Sequence, residues 1–249
     1  MREIEAKSKG RVKIDFSGDV FVREQEIIGA SYSGLRGGSF TALDCTFEKS
    51  DFSNMRLRHM TFASGRVPTK YLECKFDGSR FKKSILGQAR FERCSFLNVD
   101  IKSLFSHAAE FIDCIFSGTL SASSFYGRVF GGYRDDTTRV LNEFHGNDFS
   151  AMKLSDVVFF QGISLSRQRL PVGDNYLYLR DAAKVLALLR GKHLQSAASP
   201  YRETVFKFLA RAEKQAADGQ AELFLCKDSE IESREVIDAL WEELRHIPD

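Results

Sequence analysis

The stretch that decides the fold is YLECKFDGSRFKKSILGQARFERCSFLNVDIKSLFSHAAEFIDCIF, residues 71–116. Large apolar residues recur in it with a period of five, and small residues stand two places before them. Neither the period of a helix nor that of a strand produces this pattern. The large residues are Phe76, Phe81, Leu86, Phe91, Phe96, Ile101, Phe111 and Phe116, and the small ones are Cys74, Ser79, Ser84, Ala89, Cys94, Val99, Ala109 and Cys114.

A five-residue period fits a coil with four short sides, each of which turns one large and one small side chain inward. Large and small residues together fill a narrow interior without voids. Four sides close the coil after twenty residues, so residues twenty apart stack, and strand spacing sets the rise at about 4.8 Å. The spacing of twenty is found in Cys74, Cys94 and Cys114, in Phe76, Phe96 and Phe116, and in Tyr71, Phe91 and Phe111.

The repeating segment resembles the pentapeptide-repeat family, whose units follow a loose A-(D/N)-(L/F)-x-x rule. Matching units are CTFEK, SDFSN, SRFKK, QARFE, CSFLN, NDFSA and MKLSD. The resemblance covers residues 28–165 and implies a right-handed quadrilateral β-helix. We therefore predict a mainly β protein, a pentapeptide-repeat solenoid with a C-terminal α-helical domain.

Three regions follow from the sequence. Residues 1–27 are predicted to form an N-terminal cap or first coil, with a strand pair in the alternating residues 11–23, because a solenoid end needs covering. Residues 28–165 form the β-helix, interrupted by loops at 63–70 and 127–143. Residues 171–249 form the helical domain.

Helix signals mark the C-terminal region. Asp174 is predicted to cap a first helix that ends near Gly191. Ser199 and Pro200 begin a second helix, and Ser229 with Glu232 forms a capping box for the last one. The segment AELFLC, residues 221–226, is compatible with a strand or a helix. Apolar residues of the last helix form a stripe that predicts packing on the solenoid, on other helices or on a second subunit; the stripe is Ile237, Leu240, Trp241 and Leu244.

Composition excludes several classes of protein. The formal net charge is +2, so the chain is neither basic enough for a nucleic-acid binder nor acidic enough to imitate one. No secretory leader or membrane-spanning run is evident, which predicts a cytoplasmic protein. The five cysteines favour reduced, buried thiols. A soft metal in the cysteine column is the alternative, although ligands in one column do not surround an ion tetrahedrally.

No catalytic motif, phosphate loop or metal-ligand cluster stands out, so no enzyme, cofactor or metal is predicted. An enzyme whose site lacks a motif remains an alternative. A rigid solenoid presents extended surfaces to other macromolecules, which favours a protein-interaction scaffold. The candidate protein-binding residues lie in the 127–143 loop, where aromatic and charged side chains meet: Phe130, Tyr133, Arg134, Asp135 and Asp136. The apolar stripe of the last helix is the candidate self-association surface.

The resemblance also implies a more specific alternative. One branch of the family protects bacterial type II topoisomerases, such as DNA gyrase, from poisons and so confers antibiotic resistance. Members of that branch resemble duplex DNA in shape and negative charge, and they dimerise through C-terminal helical elements. The present chain has loops and C-terminal helices but lacks the strong negative charge.

Overall fold

A computed structural model describes residues 2–3, 18–82, 84–134, 137–195, 202–227 and 234–248. The strands, in chain order, are β1 (Arg2–Glu3), β2 (Val20–Arg23), β3 (Glu26–Ile28), β4 (Ser39–Leu43), β5 (Thr46–Glu48), β6 (His59–Thr61), β7 (Lys70–Leu72), β8 (Arg80–Lys82), β9 (Ser84–Ile85), β10 (Arg90–Glu92), β11 (Ser95–Lys102), β12 (Phe105–Ser106), β13 (Glu110–Ile112), β14 (Ile115–Tyr126), β15 (Phe144–His145), β16 (Asp148–Phe160), β17 (Tyr176–Leu179) and β18 (Leu223–Cys226). The helices are α1 (Ala182–Gln195), α2 (Arg202–Ala217) and α3 (Arg234–Arg245).

Strands β1–β16 form a β-solenoid in which successive coils pair in parallel. One side of the coil has the order β1-β2-β4-β6-β9, the second β15-β13-β10-β7-β5-β3, and the third β12-β14-β11-β8 with β16 paired to β14. Parallel bridges mark a fourth side, which runs from Ser31 through Asp51 and Lys75 to Ser95. The four-sided coil predicted from the five-residue period is therefore confirmed.

Aromatic rings stack at strand spacing inside the coil. Phe96 lies between Phe76 and Phe116, with ring centroids 4.8 Å apart on either side and planes within 8°. Phe47 stacks on Tyr71 at 5.1 Å, although twenty-four residues separate them, because the 63–70 loop inserts four extra residues. The predicted stacking thus continues across this interruption.

The corners of the coil place non-glycine residues in the left-handed region. Lys49, Glu73, Arg93 and Asp113 have φ between 50° and 54°, a conformation that costs about 1–2 kcal/mol for an L residue. A backbone hydrogen bond to the next coil offsets this cost at the corner: Lys49 N donates to the Leu72 carbonyl at 2.8 Å, and Glu73 N donates to the Glu92 carbonyl at 2.9 Å. Hydrogen bonds between stacked coils therefore stabilise the corners.

The cysteine column consists of buried thiols. The Sγ atoms of Cys74, Cys94 and Cys114 donate to carbonyl oxygens of the preceding coil at 3.4, 3.2 and 3.5 Å. Burial raises the pKa of the Cys74 and Cys114 thiols. Within the described ranges, no cluster of three or more histidine, cysteine or carboxylate side chains could hold a metal ion.

The solenoid begins earlier than residue 28. Val20 is buried and pairs with Phe40, so β2 already belongs to a coil, whereas the Ile28 side chain is 50% exposed. The inward position in this coil is the neighbouring Ile27, which packs partly buried against the core. Of the two roles predicted for residues 1–27, a cap or a first coil, β2 fits the first coil, so the coils extend to the N-terminal side of Ile28. The predicted strand pair in residues 11–23 lies partly outside the described residues, because residues 4–17 are not among them.

The first C-terminal element is a strand and not a helix. The predicted helix from Asp174 is wrong over Tyr176–Leu179, which forms β17 and pairs antiparallel with β18. Helix α1 begins at Ala182, and the Asp181 carboxylate accepts a hydrogen bond from Lys184 N at 3.0 Å, as an N-cap does. The predicted signals at Ser199, Pro200, Ser229 and Glu232 lie outside the described residues.

The two-stranded antiparallel sheet β17–β18, whose strands flank α1 and α2 in the chain, lies between two hydrophobic cores. Its alternation turns Tyr176, Tyr178, Phe224 and Cys226 toward the solenoid core, while its leucines pack with α1, α2 and α3. The fully buried Gln220 fixes this junction. Its Oε1 accepts from Gly162 N and Ile163 N at 3.1 and 3.0 Å, and its Nε2 donates to the Ile163 carbonyl at 2.7 Å.

None of the helices in the described ranges is both long and apolar enough to cross a membrane.

Candidate interaction face

Pairs of adjacent aromatic residues, here called doublets, place aromatic rings on the outside of the solenoid. A coil side turns alternate residues inward, so the second member of a doublet must face outward. Phe125 and Phe159 are buried, and their neighbours Tyr126 and Phe160 are partly exposed. The parallel pairing of β14 with β16 sets Tyr126 beside Phe160. One coil earlier Leu104 is buried, while Phe105 is 51% exposed and pairs with Ser124.

Six rings meet on this surface, which we call the aromatic face: Phe105, His107, Tyr126, Phe130, Tyr133 and Phe160. Tyr126 stacks between Phe130 at 5.0 Å and Phe160 at 5.1 Å. The His107 ring is the common neighbour, with centroids 5.1 Å from Tyr126 and 5.5 Å from Phe130. Phe105 and Tyr133 complete the group at 6.2 and 6.5 Å from His107. These separations are typical of interacting aromatic pairs.

His107 behaves as a ring of this cluster more than as a charged group. Desolvation by its surroundings lowers the pKa of the imidazole from its ordinary value of 6.5. The neutral form therefore dominates at neutral pH. The middle of the aromatic face consequently carries no formal charge under these conditions.

The 127–143 segment is held to the coil at both ends. Phe130 N donates to the His107 carbonyl at 2.9 Å, and Val129 N donates to the Val140 carbonyl at 3.0 Å. The Asn142 amide donates to the carbonyls of Tyr126 and His107 at 2.8 and 3.3 Å. These bonds seat Phe130 against the solenoid, so the ring belongs to a fixed surface.

A buried carboxylate provides the second anchor of this segment. The side chain of Glu110 is 4% exposed and pairs with Arg139 at 2.5 Å and with Arg90 at 3.1 Å. It also accepts a hydrogen bond from Glu143 N at 3.0 Å. Arg139 additionally donates to the Ala108 carbonyl at 2.5 Å. A buried carboxylate with this many partners is fully compensated, and it ties the second arm of the segment, through Arg139 and Glu143, to β13.

The predicted protein-binding residues are only partly brought together. Phe130 and Tyr133 lie in the aromatic face, within or beside the short 3-10 turn Gly131–Arg134. Arg134 is exposed, and its Nε donates to the Val129 carbonyl at 3.2 Å. Asp135 and Asp136 lie outside the described residues. Four rings of the face were not predicted from the sequence, namely Phe105, His107, Tyr126 and Phe160. Most of them follow an apolar residue that takes the inward position, so two adjacent large apolar residues in a repeat unit are the signal that could have revealed them.

The predicted self-association residues are largely core residues. Leu240, Trp241 and Leu244 are 6%, 4% and 2% exposed, and Ile237 is half-buried. Leu240 and Leu244 pack into the same cluster as apolar residues of α1, α2 and the β17–β18 sheet. The stripe is thus mostly covered within a single chain, as the predicted packing on other helices requires, and self-association through it stays a prediction.

Charges of opposite sign alternate along the coil. Glu73 lies between Lys49 at 3.9 Å and Arg93 at 3.5 Å on one corner. On the β8–β11 side, Arg80 lies 3.5 Å from Asp100. Such alternation neutralises the corner and this side of the coil.

No known family profile matches the sequence, and no curated protein sequence matches it. Two solved structures of trypsin-treated QnrB1, a plasmid-mediated fluoroquinolone resistance protein, are similar in structure. The first is 16% identical, covers 61% of this chain and 79% of that chain, and has a TM-score of 0.30. The second is 15% identical, covers 57% and 81%, and has a TM-score of 0.21.

Proposed function

We propose that this chain is a pentapeptide-repeat protein that acts without catalysis, as a scaffold that binds a protein partner through the aromatic face. The observation that carries the proposal is the gathering of six rings on one surface, with Phe105 51% and Phe130 38% exposed. Contiguous exposed apolar surface on a soluble protein marks an interaction site more often than scattered apolar residues do.

The physical properties of the face suit protein recognition. Phenylalanine and tyrosine bury large areas at a low cost in side-chain entropy, and they are enriched where interfaces gain most of their binding energy. The rings are already packed against each other and against paired strands, so little ordering remains to be done on binding. Ile85 is 54% exposed and stands twenty residues before Phe105, so the twenty-residue repeat predicts that it extends the apolar surface by one coil.

Site-specific crosslinking in cells tests the proposal. A photoreactive phenylalanine analogue replaces Phe105 or Phe130 in separate experiments, and the crosslinked protein is identified. The matched control places the same analogue at Ile28, which is 50% exposed but belongs to another side of the coil. We expect one defined partner at Phe105 and Phe130 and none at Ile28.

Quantitative binding then separates a docking face from an accidental contact. The double variant Phe105→Ser, Phe130→Ser is expected to weaken binding of the identified partner by about 2 kcal/mol or more, as loss of interface anchors does. Ile28→Ser is expected to leave it unchanged. Equal crosslinking at all three sites, or full affinity of the double variant, would refute the proposed face.

A more specific hypothesis, protection of a type II topoisomerase such as DNA gyrase, is supported by the sequence resemblance. Alternating charges on the described coil argue against imitation of DNA, which needs a continuous negative surface. We therefore expect any binding to gyrase to use the aromatic face and to depend weakly on salt. Supercoiling assays with a fluoroquinolone, at low and high salt, check this. Absence of both rescue and binding would remove the topoisomerase as partner while leaving the crosslinking test intact.

A further inference from the structure

A partly enclosed apolar cavity of about 210 Å³ lies where the last coil meets the helical region. Val158 of β16 forms one wall, Phe208 and Ala212 of α2 the second, and Ile237, Leu240 and Trp241 of α3 the third. Phe224 of β18 also lines the cavity. The cavity is separate from the aromatic face and plays no part in the function proposed above.

One residue of the lining carries a buried polar group that has no partner among the described residues. Trp241 is 4% exposed, and its indole N–H has no hydrogen-bond acceptor among the described residues. Leaving a buried donor unsatisfied costs about 1–3 kcal/mol. Buried donors of this kind are rare in folded proteins and call for an explanation. A bound molecule that carries an acceptor oxygen would supply one.

The charged residues of the lining favour an anion. Arg211 and Lys227 both line the cavity, against the single carboxylate of Asp156. Lys227 already pairs with Asp238, 2.6 Å from its Nζ. Arg211 is exposed and makes no ion pair with a described residue. The guanidinium is thus placed to balance the charge of a carboxylate, a group that it binds in a fixed geometry.

We propose that this cavity binds a small amphiphilic carboxylate. Its apolar body packs among the side chains of α2, α3 and β16, and a carboxylate oxygen accepts the Trp241 N–H near Arg211. A cavity of 150 Å³ holds benzene, so by proportion a body of about eight carbons fits a volume of about 210 Å³. Sites of this composition, mostly apolar with a few placed polar groups, are typical of small-molecule binding.

The chain carries its own reporter for the test. Trp241 is its single tryptophan, so the intrinsic fluorescence of the full-length protein reports the cavity directly. The probes are octanoate, octanol and octylamine, each kept below the concentration at which it forms micelles. We expect a saturable change in emission with octanoate, a response at least about tenfold weaker with octanol, which lacks the charged group paired with Arg211, and none with octylamine.

Three lining variants and one control variant locate the effect. Ala212→Leu fills the cavity while Trp241 stays in place, and it is expected to abolish the saturable response. Arg211→Gln is expected to weaken octanoate by about tenfold, which corresponds to one lost charge-assisted contact, and to leave octanol unchanged. Lys214→Gln, on the same helix but not in the lining, is the matched control and is expected to bind as the wild type does. Trp241→Phe, followed by calorimetry, reports the loss of the N–H donor as weaker octanoate binding.

Several outcomes would overturn the proposal. A fully folded wild-type protein, checked by circular dichroism, that gives no saturable response to octanoate has no such site. Equal responses to the three octyl compounds would show hydrophobic adsorption without selection of an anion. An unchanged response in Ala212→Leu, with native circular dichroism, would place binding elsewhere on the chain. If Ala212→Leu does not fold, Arg211→Gln and Trp241→Phe decide the question by themselves.

Discussion

At the scale of the residue, the stacked rings carry the stability of the coil. Phe96 is 3% exposed and lies between two parallel rings, so Phe96→Ala leaves a cavity that stiff neighbouring coils cannot close. We expect a loss of about 3–5 kcal/mol in the free energy of unfolding, measured by urea denaturation. Phe105→Ala is the control: this exposed ring should change stability by no more than about 0.5 kcal/mol. Similar losses for both variants would contradict the inward and outward assignment.

His107 gives a prediction about pH at the same scale. Its pKa in the folded state is lowered below the ordinary 6.5 by desolvation. The unfolded chain therefore binds more protons just below this pH, and stability falls as pH drops from 6.5 toward the folded pKa. We expect the wild type to lose more stability than His107→Gln between about pH 7.5 and about pH 5.5. Equal losses in the two proteins, by urea denaturation, would show that His107 does not contribute.

At the scale of the element, the 127–143 segment depends on its anchors. Arg139→Ala removes the ion pair to Glu110 and the hydrogen bond to the Ala108 carbonyl. Contacts to charged groups contribute about 1.5–3 kcal/mol, so the amides of Val129, Phe130 and Asn142 should exchange about ten- to a hundredfold faster with solvent hydrogen. Arg128→Ala, an exposed arginine of the same segment, is the control. Unchanged exchange in Arg139→Ala would mean that the backbone bonds alone hold the segment.

For the whole molecule, we expect the solenoid and the helical region to unfold together, because the β17–β18 sheet packs against both. Trp241 fluorescence follows the helical region, and the β signal of circular dichroism follows the coil. We expect the two probes to give the same urea midpoint in the wild type. Gln220→Leu removes the hydrogen bonds to Gly162 and Ile163 and is expected to separate the midpoints, whereas Gln25→Leu in the first coil is not. Separate transitions in the wild type would contradict the coupling.

The solenoid could be predicted from the sequence alone. A five-residue period leaves one arrangement that buries the large residue of each repeat unit, and residues twenty apart, such as Phe76, Phe96 and Phe116, must then stack. It also indicated that helices follow the repeat. These inferences succeed because the inward positions of a coil are constrained locally, by the same close-packing requirement in every turn.

The exposed surfaces and the junction with the helical region could be identified only from the folded chain. Outward positions are not constrained by the repeat, so nothing in its period shows that Phe105 and Phe130 meet around His107. An apolar stripe on α3 indicates that it is covered but not by what, and the covering elements are distant in sequence. The strand Tyr176–Leu179 was missed because its leucines also continue the helical spacing of α1. Its period of two became decisive only with β18 beside it and a core on each face.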